Sequence, residues 1–94
     1  MTIRVGVNGY GVIGKRVADA VKLQTDMELV GVCDLAEDWR IEIARARGFP
    51  IYSPSGEGRI GSLEDMARAA DLVVDCTPKG VAAADLTEHC VEAL

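Results

Sequence analysis

The segment Gly6-Val7-Asn8-Gly9-Tyr10-Gly11-Val12-Ile13-Gly14 constrains this chain more than any other. Gly9, Gly11 and Gly14 have the spacing G-x-G-x-x-G, which on its own recurs by chance in many loops. Here it stands between two strong local patterns. Before it, Ile3-Arg4-Val5-Gly6-Val7 places apolar residues at alternate positions, the period of a strand. After it, residues 12–23 read as a helix, with Ile13, Val17, Ala20 and Val21 on one face and Lys15, Arg16, Asp19 and Lys22 mostly turned away. In a strand–turn–helix each glycine has a physical task. Gly9 can take a backbone conformation closed to other residues, Gly11 leaves the main chain open to close approach, and Gly14 lets the helix lie against the strand.

The alternation continues along the chain. Met27 to Cys33 reads as a second strand that ends at Asp34, and residues 39–47 have helical spacing until Gly48 and Pro50 end it. Ile51-Tyr52 is a short third strand, followed by a loop rich in Gly, Ser and Pro. Ser62 is the expected N-cap of a helix reaching Ala70, with Asp65 three residues on as the acid of a capping box. Residues 71–76 form a fourth strand, 77–80 a turn and 81–93 a last helix. Crossovers between parallel strands are right-handed in nearly all proteins. The order β-α-β-α-β-α-β-α therefore predicts an α/β, Rossmann-type doubly wound parallel sheet of about four strands, order 3-2-1-4. A chain of 94 residues holds one modest core. A complete domain of this kind usually has more strands, so residues 1–94 are expected to be an incomplete domain, marginal in stability or self-associating through a bare sheet edge.

Composition removes several function classes. The net charge is -5, with seven basic and seven acidic side chains in residues 1–50 against three and eight in residues 51–94. No basic stripe is present to neutralise a phosphate backbone, which argues against nucleic-acid binding. No apolar run approaches the roughly 20 residues that span a bilayer, and the start "MTIRVGV" has no signal-peptide pattern. Cys33, Cys76 and Cys90 are odd in number and lack C-x-x-C spacing, so neither a disulfide framework nor a metal site is expected, and a cytoplasmic setting with reduced thiols is.

In the predicted sheet the strand order reverses between the first and fourth strands, and ligands of such sheets bind in that crevice at the carboxyl ends of the strands. The amides of Gly11, Val12 and Ile13, at the positive end of the first helix, suit the pyrophosphate of a dinucleotide. Asp34, 20 residues after Gly14, suits the adenine ribose hydroxyls and would repel a 2′-phosphate. NAD is therefore favoured over NADP, although Lys15, Arg16 or Arg40 could offset that repulsion. The turn after the fourth strand should supply the other wall, with Thr77 and Pro78 near the dinucleotide and Lys79 reaching its phosphates. The expected cofactor site is Gly9, Tyr10, Gly11, Val12, Ile13, Gly14, Asp34, Thr77, Pro78 and Lys79.

Beyond the glycines, "VNGYGVIGKRVADAV" (7–21), "QTDMELVGV" (24–32) and "DLVVDCTPKG" (71–80) resemble the archaeal-type glyceraldehyde-3-phosphate dehydrogenases, over about residues 1–85. The resemblance implies a cytoplasmic homotetramer of central carbon metabolism. Such enzymes oxidise glyceraldehyde 3-phosphate to 1,3-bisphosphoglycerate with NAD or NADP and inorganic phosphate. It also implies cofactor contacts at Gly9, Gly11, Val12, Ile13 and Asp34. Many archaeal members have Lys-Thr or a similar pair where this chain has Asp34-Leu35, and those often accept NADP. The family's nucleophile lies in a Ser-Cys-Asn-Thr-type segment of a second domain, and no such segment occurs here; the end, "LTEHCVEAL", also departs from the family.

The expectation for this chain alone is cofactor binding without turnover. His89 and Cys90 do not form a nucleophile–base pair, because neighbours on the predicted helix point about 100° apart. His89 reads as a surface residue and Cys76 as a small apolar filler. Aspartate-semialdehyde, homoserine and dihydrodipicolinate enzymes share the plan of the N-terminal half, although Asn8 and Tyr10 are less usual there. A non-enzymatic NAD(H)-sensing regulatory module is the alternative of a different class.

Overall fold

Alternating apolar residues in the first ten positions form β1 (Ile3–Asn8), the central strand of a parallel sheet. The structure is a computed structural model that describes residues 2–34, 38–56, 59–77 and, as backbone only, 90–92. Along the chain follow α1 (Val12–Lys22), β2 (Met27–Cys33), α2 (Trp39–Ala46), β3 (Ile51–Tyr52), α3 (Leu63–Ala69), β4 (Leu72–Asp75) and β5 (Cys90–Glu92). The sheet order is β3-β2-β1-β4-β5 and every pairing is parallel. The predicted 3-2-1-4 arrangement is thus present, with one more strand on the β4 side.

That fifth strand corrects the expected helix over residues 81–93. Cys90, Val91 and Glu92 pair with Val73, Val74 and Asp75. Local spacing favoured a helix there, but the unpaired edge of β4 supplies a hydrogen-bond ladder that a local pattern does not reveal, and strand formation depends strongly on such context. The remainder of that predicted helix lies outside the described residues.

The sheet carries two apolar layers. On one face Val5, Val7, Leu29, Val32 and Ile51 pack with Ala18 and Val21 of α1 and Ile41 and Ala44 of α2. On the other, Cys33 and Val73 pack with Leu63, Met66 and Ala67 of α3. The β1–β2 register slips once, from Val5↔Leu29 to Gly6↔Gly31, and skips Val30. This bulge lets Leu29 and Val32 serve the same face although they are three residues apart.

Two helix starts follow the sequence closely. Asp38 caps α2 by accepting the Arg40 amide at 3.0 Å. Ser62 and Asp65 make the predicted capping box: Ser62 Oγ accepts the Asp65 amide at 3.2 Å, and Asp65 Oδ2 accepts the Ser62 amide at 2.9 Å. Helix α1 differs. Its N-cap, Gly11, has no side chain to offer, and no acid lies in its first turn. Its buried face is also rotated from the expected one. Gly14, Ala18 and Val21 face the sheet, whereas Ile13 and Ala20 are exposed. Small residues win that face because they allow the helix to approach the sheet closely.

Candidate functional site

The carboxyl ends of β1, β2 and β4 meet around Gly9. Its amide donates to the Cys33 carbonyl at 2.7 Å, and the Cys76 amide donates to the Asn8 carbonyl at 2.7 Å. The turn is thereby tied to both neighbouring strands. Gly9 has φ +94°, a left-handed conformation that favours glycine. A side chain there would also meet Thr77, whose N and Cγ2 lie 3.0 Å from the place of a Cβ. Gly14 has no room either: an added Cβ would overlap the carbonyl oxygen of Gly9. These two glycines do what their spacing predicted.

Gly11 is different in kind. Its φ of -83° is open to any residue, and a Cβ there would meet nothing within 4 Å among the described residues. Neither conformation nor protein packing calls for glycine at this position. The bare backbone stands where α1 starts, and the first amides of a helix have no carbonyl partner within it. Val12 and Ile13, the next two residues, are exposed apolar side chains. An anion approaching this point would meet free N–H groups and the positive end of the helix dipole.

Asp34 closes one side of the crevice. Its Oδ2 accepts the Tyr10 amide at 2.7 Å, and its own amide donates to the Tyr52 carbonyl at 3.2 Å. The strand-end carboxylate therefore braces the glycine turn. A carboxylate has about four acceptor sites, so this bond is compatible with others to a ribose. Tyr10 contributes that amide, while its ring is buried and meets Phe49 edge-on at 6.3 Å. Burial, and then the charge of Asp19, raise the Tyr10 hydroxyl above its ordinary pKa.

On the opposite side, Asp75 orients Thr77, a contact that the sequence reading missed. Asp75 Oδ1 accepts both the Thr77 amide, at 3.0 Å, and the Thr77 hydroxyl. The carboxylate is nearly buried, at 8 % exposure. The signal was present in the spacing Asp75-Cys76-Thr77, since an Asp side chain commonly bonds the backbone two residues on. Thr77 lies against Gly9, with its hydroxyl hydrogen committed to Asp75. Pro78 and Lys79, the other residues expected on this wall, lie outside the described residues, as does His89.

Between the starts of α1 and α2 is a pocket of about 210 Å³, lined by Gly11, Lys15, Arg16, Trp39 and Arg40 among others. Trp39 was not among the expected site residues. Arg40 is held by Asp38, with Nε 3.1 Å from Oδ1 and Nη2 2.9 Å from Oδ2. The Asp38 hydrogen bonds first, and then the charges of Asp34 and Asp38, raise the Arg40 pKa above its ordinary value.

Cys33 is fully buried, and desolvation first, then the charge of Asp34, push its pKa up to about 12. It is neutral at pH 7 and inert as a nucleophile. Cys76 is half-buried at the end of β4 and packs against the core, in line with its reading as a filler. Among the described residues no group of three His, Cys, Asp or Glu side chains could hold a metal, and no helix is long and apolar enough to cross a membrane.

Comparison with known proteins follows the same residues. Residues 3–93 match the family described as dihydrodipicolinate reductase, N-terminus. The chain belongs to that family. It is also 48% identical to a glyceraldehyde-3-phosphate dehydrogenase of Pyrobaculum calidifontis, over 84% of this chain and 26% of that protein. The figures for glyceraldehyde-3-phosphate dehydrogenase 1 of Methanosarcina acetivorans are 48%, 83% and 26%. The resemblance read from the motifs thus holds: this is a domain homologous to the N-terminal region of the archaeal enzymes. It spans about a quarter of the length of those relatives.

Among solved structures, apo scyllo-inositol dehydrogenase from Lactobacillus casei superposes with a TM-score of 0.64 at 20% identity, over 84% of this chain and 22% of that one. An NAD-binding protein from Listeria innocua gives 0.62 at 23%, over 83% and 21%. These two likenesses establish the Rossmann-type fold. Together the matches support a dinucleotide cofactor and leave NAD and NADP undistinguished.

Proposed function

We infer that residues 1–94 are the N-terminal portion of an NAD(P)-binding domain, and that its crevice holds a dinucleotide with the pyrophosphate over Gly11 and the start of α1. The observation that carries this reading is Gly11, a glycine that neither its φ nor its neighbours require. Space kept empty beside unpaired helix amides is what close approach of a diphosphate needs. Gly9 and Gly14 shape the turn, Val12 and Ile13 offer amides, and Asp34 and Thr77 flank the crevice.

The homology to archaeal enzymes supports a specific setting. The domain would serve a phosphorylating glyceraldehyde-3-phosphate dehydrogenase, a cytoplasmic oligomer acting in glycolysis or gluconeogenesis. Aldehyde oxidation of that type needs a thiolate to form a hemithioacetal and a base to take its proton. This chain is assigned neither, so it binds cofactor without turning substrate over. NAD is the preferred form, since Asp34 can accept from the ribose hydroxyls and its charge opposes a 2′-phosphate.

Calorimetric titration tests the reading. The 94-residue chain is expected to bind NAD at one site and more tightly than NADP. Asp34→Asn removes the charge and keeps the shape, and should reduce or reverse that preference. Absence of saturable binding of either nucleotide would overturn the reading. Steady NADH formation with NAD, phosphate and glyceraldehyde 3-phosphate would overturn the claim of binding without turnover.

A further inference from the structure

We propose that Asn8 is a self-modification site gated by the sheet: its side chain closes on the Gly9 nitrogen only when the carboxyl end of β1 opens, and the product keeps that end from closing again. The proposal concerns the chain's own chemistry and stands apart from the dinucleotide reading.

The reactive pair is Asn8-Gly9, and Asn8 is the only asparagine of the chain. The Gly9 nitrogen gives up its proton and attacks Asn8 Cγ. The N–Cγ bond forms, the Cγ–Nδ2 bond breaks, and the side-chain nitrogen leaves as ammonia, so the proton lost by Gly9 is balanced by the one ammonia gains. The five-membered imide that remains takes up one water. Hydrolysis at Cγ gives Asp, and hydrolysis at the main-chain carbonyl gives isoaspartate, in which the chain runs through the side chain. Nothing is oxidised or reduced. Glycine in the second place favours the attack, since no Cβ shields its nitrogen.

The fold withholds this reaction. The peptide unit between Asn8 and Gly9 is pinned on both sides. Its N–H donates to the Cys33 carbonyl beside it on β2 at 2.7 Å, and its carbonyl accepts the Cys76 amide after β4 at 2.7 Å. Asn8 is the last residue of β1 and is 5 % exposed. The nitrogen that must attack is therefore engaged, and the peptide plane that must turn is held by two strands. Both bonds have to open before the ring can close.

The product does not fit where Asn8 stood. In the parallel registers Asn8 is level with Cys33 on one side and Asp75 on the other, and both are buried. Gly6 and Val73, two residues earlier in their strands, both face Met66 of α3, so Asn8 and Asp75 share that face. Paired strands run about 4.8 Å apart. Asp at position 8 thus sets a second carboxylate beside Asp75 with little water to screen the two. Isoaspartate adds one atom to the main chain at the end of the central strand, so the bonds to Cys33 and Cys76 cannot both re-form. The crevice end of the sheet accordingly has a lifetime set by its own opening.

The test follows the intact mass of the 94-residue chain in mildly alkaline buffer, folded and in denaturant. Peptide mapping separates Asp from isoaspartate at residue 8, and circular dichroism reports the fold of each sample. Conversion in the folded chain should be at least about 100-fold slower than in denaturant, because opening of the sheet end must precede it. Low denaturant that speeds hydrogen exchange of the Gly9 amide should speed conversion in proportion. Asn8→Ser has no amide to lose and should show no mass change. Asn8→Asp keeps the shape and adds the charge, and should melt at least about 5 °C below wild type in neutral buffer. Equal conversion with and without denaturant would overturn the proposal. So would a mass change that persists in Asn8→Ser, or an Asn8→Asp chain as stable as wild type.

Discussion

Gly14→Ala lowers the stability of the domain by about 3 kcal/mol, the upper part of the range for overpacking a core. The added methyl would coincide with the Gly9 carbonyl oxygen and stand 2.9 Å from the Gly9 carbonyl carbon. Those are backbone atoms, held by the Gly9 amide bond to Cys33 and the Cys76 amide bond to Asn8. They cannot swing aside as the end of a long side chain can. Either α1 moves away from the sheet, which unpacks Ala18 and Val21, or the turn opens and the two backbone bonds lengthen. Domains of this size have total stabilities near the low end of about 5–15 kcal/mol, so most of the margin is spent. At roughly 4–8 °C per kcal/mol the melting temperature should fall by more than about 10 °C. The control is Gly11→Ala in the same melt. Its methyl enters open space at an ordinary φ, and only the weaker N-cap counts against it, by a few tenths to about 1 kcal/mol. Equal melting of Gly14→Ala and wild type would show that α1 does not rest on the Gly9 turn.

Much of this architecture was legible because its determinants are local. Alternation in residues 3–7 and 27–33 gives strands, and Ser62 with Asp65 three residues later gives a helix start. The left-handed turn at Gly9 and the close approach at Gly14 follow from the glycine spacing. The rest was hidden for identifiable reasons. The rotation of α1 was misjudged because hydropathy ranks Ile13 above Gly14, whereas contact with the sheet ranks by size. Strand β5 is three residues long and exists through its pairing with β4, which no window around Cys90 contains. The bulge at Val30 changes which β2 residues share a face, and nothing in Met27–Cys33 marks it beforehand. In the site, Trp39 and Arg40 become neighbours of Gly11 only when α2 folds back beside α1. The sequence distance from Gly11 to Arg40 conceals a contact that the right-handed β-α-β crossover creates.

Gly11→Val reduces NAD affinity by about 100-fold while the domain stays folded. A branched side chain at this position would project into the space over the start of α1, which no described residue occupies within 4 Å. A diphosphate seated on the helix amides needs that space, and a hydrogen bond to a charged group contributes about 1.5–3 kcal/mol. Pushing the phosphate back by the depth of an isopropyl group forfeits one or two such bonds, and 100-fold corresponds to about 2.7 kcal/mol. The stability cost is small by comparison, about 1 kcal/mol, because valine is a poorer N-cap than glycine. The two substitutions thus separate the two tasks of the motif. Change at Gly14 disturbs folding through contacts within the protein, whereas change at Gly11 disturbs only what approaches from outside. Titration of NAD into folded Gly11→Val, with its melt recorded in parallel, makes the distinction measurable. Wild-type affinity in that variant would mean that the pyrophosphate does not lie over the α1 start, and the dinucleotide site would have to be sought elsewhere on the sheet.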